Sequence, residues 1–118
     1  MKVLLVDDEE ELVSALAERL SYRGIEASWA GNCLDALALA ELENFDVAVL
    51  DVRMPKMSGI ELKRRLQKKR PAMKFIFLTG HGSEDDFKAG SGEEGAGYYL
   101  VKPINIEVLI KRMKEVLG

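Results

Sequence analysis

Phe45-Asp46-Val47-Ala48-Val49-Leu50-Asp51 is a short apolar run that stops on an acid. Val3-Leu4-Leu5-Val6 behaves the same way and stops on Asp7 and Asp8. Phe75-Ile76-Phe77-Leu78 leads to Thr79, and Tyr98-Tyr99-Leu100-Val101 leads to Lys102 and Pro103. Runs this short and this continuously apolar read as strands buried on both faces, which is what a parallel sheet requires. Strands are expected over 2–6, 25–29, 45–50, 74–78 and 97–101. The second, Ile25-Glu26-Ala27-Ser28-Trp29, alternates and belongs at an edge.

Between the runs the period becomes helical. Residues 10–22 place Leu12, Val13, Leu16 and Leu20 on one stripe, with Gly24 as a stop. Asn32 caps a helix over 33–43. Ser58 and Glu61 form a capping box for a helix over 59–69, and Pro71 lies just past its end. Asn105 caps a last helix with Ile106, Leu109, Ile110, Met113, Val116 and Leu117 on one side. The stretch 83–96 starts like a helix at Ser83, but Gly90, Gly92 and Gly95 each weaken it by about 1 kcal/mol relative to Ala. A short or mobile helix is expected there.

Five strands alternating with five helices make an α/β doubly wound sheet. Ligands of such sheets bind beyond the carboxyl ends of the strands, where the strand order reverses. Asp7, Asp8, Asp51, Thr79 and Lys102 all fall at that edge. Three carboxylates there repel one another unless a cation, a proton or a reaction accounts for them. Carboxylates, a hydroxyl and an ammonium together suit Mg²⁺ and a phosphoryl group.

The chain has 118 residues, enough for one domain and one core. A net charge of −3 argues against a direct nucleic-acid binder, which would carry a basic excess. No secretory signal and no membrane-spanning stretch is read. Cys33 is the single cysteine, which excludes an internal disulfide and suits a cytoplasmic setting. With acidic Asp35 beside it, Cys33 reads as a packing residue and not as a reactive thiol.

Four pieces of the sequence resemble a response regulator receiver domain, the aspartate-phosphorylated partner of sensor histidine kinases. They are Val6-Asp7-Asp8-Glu9, Leu50-Asp51-Val52-Arg53-Met54-Pro55-Lys56-Met57-Ser58-Gly59, Leu78-Thr79-Gly80-His81 and Tyr99-Leu100-Val101-Lys102-Pro103. Each is weak alone, but each closes an expected strand in the right order. The resemblance covers essentially the whole chain. It implies a flavodoxin-like (βα)5 sandwich with strand order 2-1-3-4-5 and a single receiver over 1–118 without an output domain. It also implies a signalling domain rather than an enzyme, though one that catalyses its own phosphoryl transfer and slow dephosphorylation.

Residue by residue, the resemblance makes Asp51 the phosphoacceptor. Asp7, Asp8, Asp51 and the backbone carbonyl of Arg53 would hold Mg²⁺, for which Mn²⁺ could substitute, with Asp8 the more direct ligand. Lys102 would meet a phosphoryl oxygen, Thr79 would hydrogen-bond another, and the Gly80 N–H would approach a third. Pro103 would follow a cis bond. Thr79 and Tyr99 would form a two-state switch, repacking the surface made by the helix from 83, the fifth strand and the last helix. Arg53 and His81 would tune the lifetime of the acyl phosphate.

The implied partners are a sensor histidine kinase or a histidine phosphotransfer protein upstream and an unknown protein target downstream. A monomer or a weak, phosphorylation-dependent dimer is expected. The bland readings are an acidic helix start at Asp7–Glu11, an Asp-type turn at Asp51, turn punctuation at Thr79-Gly80 and a solvated Lys102. Jointly they need four coincidences. A flavin carrier fails because Asp7–Glu11 would repel the flavin phosphate. A haloacid-dehalogenase-type hydrolase fails because Arg53 stands where that class carries a second acid. Two alternatives stay open: an excised receiver of a larger transcriptional regulator, and a degenerate receiver that only binds protein.

Overall fold

In a computed structural model, residues 1–80 and 99–118 are described. The strands are β1 (Lys2–Val6), β2 (Glu26–Ala30), β3 (Val47–Asp51), β4 (Lys74–Thr79) and β5 (Tyr99–Val101). The helices among the described residues are α1 (Glu10–Ser21), α2 (Cys33–Leu42), α3 (Gly59–Lys69) and α4 (Ile106–Leu117). All strand pairs are parallel, in the order β2-β1-β3-β4-β5. The expected order holds, and β2 does lie at an edge.

The period of two along each strand divides the core into two layers. Leu4, Val6, Ala48, Leu50, Phe75 and Phe77 point to α2 and α3, where they meet Ala36, Ala40, Leu62 and Leu66. Val3, Leu5, Val47, Val49, Ile76 and Leu78 point to α1 and α4, where they meet Val13, Ala17, Leu20, Leu109 and Met113. No helix of the described residues is long and apolar enough to cross a membrane.

The expected caps form. Asn32 accepts from the Asp35 N–H at 2.8 Å, Ser58 from the Glu61 N–H at 3.2 Å, and Asn105 from Glu107 at 2.9 Å and Val108 at 3.1 Å. Gly24 takes φ +78°, a left-handed value suited to the turn after α1.

Several expectations shift. β3 starts at Val47, later than expected, although the Asp46 backbone already joins its neighbours: its N–H donates to the Lys2 carbonyl at 2.8 Å and its carbonyl accepts from the Lys74 N–H at 3.0 Å. Asp51 and Thr79 are the last residues of their strands and not the first beyond them. Leu12 leaves the buried stripe of α1 and is 62% exposed, since Val13, Ala17 and Leu20 already face the sheet. β5 is buried only at its start, and Val101 is exposed, unlike the continuous burial expected. Tyr98, His81 and the whole segment 83–96 lie outside the described residues.

Candidate phosphoryl-acceptor site

β1 has neighbours on both sides, β2 and β3, so the order reverses beside it. Asp7 follows β1 and Asp51 ends β3, which sets both at the crevice where such sheets bind ligands. The Val52 N–H continues the ladder by donating to the Leu78 carbonyl at 2.9 Å. The Lys102 N–H does the same to the Thr79 carbonyl at 2.7 Å. Ladder bonds thus hold the backbone of the strand ends that present Asp51 and Lys102.

Asp7, Asp8 and Asp51 each offer a carboxylate oxygen, all within 4.8 Å of one another. Asp7 and Asp51 are buried, and Asp8 is exposed. An all-oxygen set with one open side fits a hard dication that keeps waters, as Mg²⁺ does. The Lys102 ammonium reaches into the same cluster. It lies 2.7 Å from Asp7 Oδ2, 3.2 Å from Glu9 Oε1 and 3.6 Å from Asp51 Oδ1. The Lys102–Pro103 bond is cis, as expected.

The Asp51 carboxyl is pushed up to about 6, chiefly by burial and then by the Asp7 charge. Lys102 and the Arg53 backbone N–H, which donates to the carboxylate, pull the other way. Burial also pulls the Lys102 ammonium down, but the carboxylates of Asp7, Asp51 and Glu9 outweigh it and hold it above the ordinary lysine range. Without a metal, then, the Asp51 carboxyl is held back from ionising and the Lys102 ammonium is held charged. A dication would relieve the first effect by neutralising the repulsion.

Thr79 is buried at the end of β4. Gly80 follows, and a Cβ there would meet no atom of the described residues within 4 Å. Tyr99 is buried and stacks on Phe77, ring centroids 5.0 Å apart. The structure thus gathers Asp7, Asp8, Asp51 and Lys102 into one cluster and sets Thr79 and Gly80 at the same strand edge. Cys33 is buried, and burial pushes its thiol up, in keeping with a packing role.

Two residues went unnoticed in the sequence. Glu9 joins Lys102, although the acidic run Asp7–Glu11 gave no sign of which carboxylate would turn inward. Gly59 is the other. A Cβ on it would lie 2.3 Å from the Asp51 carbonyl oxygen, so only glycine lets α3 begin this close to β3. Its position in the Ser58-Gly59 pair was visible, but the close approach that requires it was not.

A model of the response regulator receiver domain matches residues 3–114. The chain belongs to the response regulator receiver family. The transcriptional regulatory protein CpxR of Klebsiella pneumoniae is 40% identical over 116 residues, covering 98% of this receiver and 49% of that protein. A CheY-like receiver domain protein from Methanospirillum hungatei superposes with a TM-score of 0.86 at 34% identity, covering 98% of this chain and 92% of that one. A response regulator from Burkholderia pseudomallei, solved with a phosphorylated aspartic acid, a calcium ion and citrate, gives a TM-score of 0.83 at 31% identity. That match covers 95% of this receiver and 65% of the Burkholderia chain. This receiver spans about half the length of the curated relatives CpxR, PhoP and TcrX.

Proposed function

We propose that this receiver accepts a phosphoryl group on Asp51 from a phosphohistidine of a sensor kinase or phosphotransfer protein, in a cytoplasmic two-component pathway. The reading is carried by one observation: the buried Asp51 carboxylate shares its cluster with two metal-suited acids and the Lys102 ammonium, 3.6 Å away. An Asp51 oxygen attacks phosphorus, the P–N bond to the donor imidazole breaks, and the imidazole leaves with the electron pair. Asp8, Asp7, Asp51 and the Arg53 carbonyl would hold Mg²⁺, or Mn²⁺ in its place. The ion supplies charge neutralisation and alignment of acceptor and phosphoryl group.

Lys102 balances the charge gathered on the transferred oxygens, leaving Asp7 to do so. Thr79 and the Gly80 N–H bind the remaining oxygens, and Thr79 with Tyr99 relays the change to the surface around β5 and α4. Arg53 and His81 set how long the acyl phosphate lasts. The Burkholderia relative, described with phosphorylated aspartate and a divalent ion, supports this chemistry.

A partner must reach the open edge. A cleft of about 490 Å³ between α1 and the β5–α4 loop, lined by Leu12, Leu16 and Ile104, runs up to Lys102. With Leu12 62% exposed, this cleft supports docking of the donor protein beside the site. The length of the relatives favours a second reading of the output, in which this receiver controls a transcriptional regulator.

The test is intact mass spectrometry after incubation with acetyl phosphate and Mg²⁺. The expected result is one phosphoryl gain, absent in Asp51→Asn and absent without metal. No gain under any condition returns the chain to a protein-binding receiver without phosphorylation.

A further inference from the structure

Glu9 stands at the N-cap of α1, a position that favours Ser, Thr, Asp or Asn because a short side chain there can accept from the first helical N–H groups. Its side chain makes no such bond. It turns instead toward the strand edge, where Oε1 accepts from Lys102 Nζ at 3.2 Å. The Glu9 backbone N–H meanwhile donates to Asp7 Oδ1 at 3.0 Å, and Asp7 Oδ2 holds the same ammonium at 2.7 Å. One residue therefore clips both members of the Asp7–Lys102 pair. Glu10 and Glu11 already supply the negative charge that the α1 macrodipole favours, so the helix does not need Glu9 for that.

We propose that Glu9 is a positioning residue that competes with the incoming phosphoryl group for the Lys102 ammonium and so slows acceptance at Asp51. The inference rests on the phosphoryl-acceptor reading. For Lys102 to meet a phosphoryl oxygen it must leave Asp7 and Glu9. With acetyl phosphate the Asp51 oxygen–phosphorus bond forms, the phosphorus–oxygen bond to the acetyl group breaks, and acetate departs with the pair. Each carboxylate that Lys102 has to abandon raises the barrier to that step. Half-exposed pairs of this kind contribute modestly, which sets the expected effect at about two- to fivefold.

The experiment compares parent, Glu9→Gln and Glu9→Asp at saturating Mg²⁺, following phosphorylation of Asp51 by acetyl phosphate with intact mass. Glu9→Gln should raise the limiting rate about two- to fivefold, with a smaller change in the half-saturating acetyl phosphate concentration. Glu9→Asp keeps the charge but shortens the reach, so it should follow Glu9→Gln. If Glu9→Asp behaves as the parent while Glu9→Gln is faster, simple repulsion of the donor is responsible and the proposal falls. A second readout needs no activity: in metal-free protein, reductive methylation of Lys102 should be about two- to fivefold faster in both variants. Unchanged labelling overturns the proposal. A parent that takes up no phosphate at Asp51 overturns the acceptor reading itself, which the labelling result then separates from the Glu9–Lys102 contact.

Discussion

Asp51 is the residue at which burial, like charge and a cation meet, and its ionisation ties chemistry to stability. Its carboxyl is raised from 3.8 to about 6 in the folded chain. Between those values the native state keeps a proton that the unfolded chain has lost, so this residue's contribution to stability falls as pH rises from about 4 to about 6. Above that window the burial of the charge is fully felt. Asp51→Asn removes it, and after solvent screening at the open edge the metal-free variant should be about 1 kcal/mol more stable than the parent at pH 7. Urea midpoints at pH 7 and pH 4 check this: the gap should close at pH 4, and a variant no more stable at pH 7 contradicts it. Gly59 makes the opposite case. A methyl group aimed at the Asp51 carbonyl from 2.3 Å forces α3 or β3 to move. Gly59→Ala should cost about 1–3 kcal/mol in urea denaturation and also slow any phosphorylation of Asp51, because the backbone that shifts carries that residue.

Among the elements, the legible features are those with a local physical cause. Asn32, Ser58 and Asn105 announce their helices because a short polar side chain satisfies N–H groups within its own turn. β1, β3 and β4 announce themselves because both faces are buried. Features that depend on a distant partner were not legible. The Asp46 carboxylate bonds the start of β1, and the inward turn of Glu9 comes from Lys102, far along the chain. Leu12 is instructive because periodicity placed it in the core, whereas the structure leaves it on the rim of the cleft beside Lys102. Its exposure makes it a cheap residue to change. Leu12→Glu should leave the urea midpoint within about 0.5 kcal/mol of the parent and leave phosphorylation by acetyl phosphate unaltered. Transfer from a phosphorylated kinase or phosphotransfer protein should slow at least about tenfold, since docking would bury an unpaired carboxylate. Equal transfer rates would remove the cleft from the docking surface.

At the scale of the whole molecule, the two-layer core holds the strand ends in register, and at the acidic edge folding leaves three carboxylates together. The Lys102 ammonium offsets only part of that negative charge, so metal binding and folding are linked. Mg²⁺ that binds only the folded chain stabilises it by about 1.4 kcal/mol at ten times its dissociation constant. The gain should shrink below about pH 6, where Asp51 retains its proton and competes with the ion. Asp8 is the exposed member of the trio, so Asp8→Asn should remove most of the gain with little effect on the core. Thermal melts with MgCl₂ and with NaCl of equal ionic strength, at pH 7.5 and pH 5, measure each part. A Mg²⁺-specific rise in Tm at pH 7.5 that weakens at pH 5 and disappears in Asp8→Asn is the expected pattern. A rise of equal size in NaCl would instead mean that screening alone relieves the edge, and the three carboxylates would then lose their assignment as a metal site.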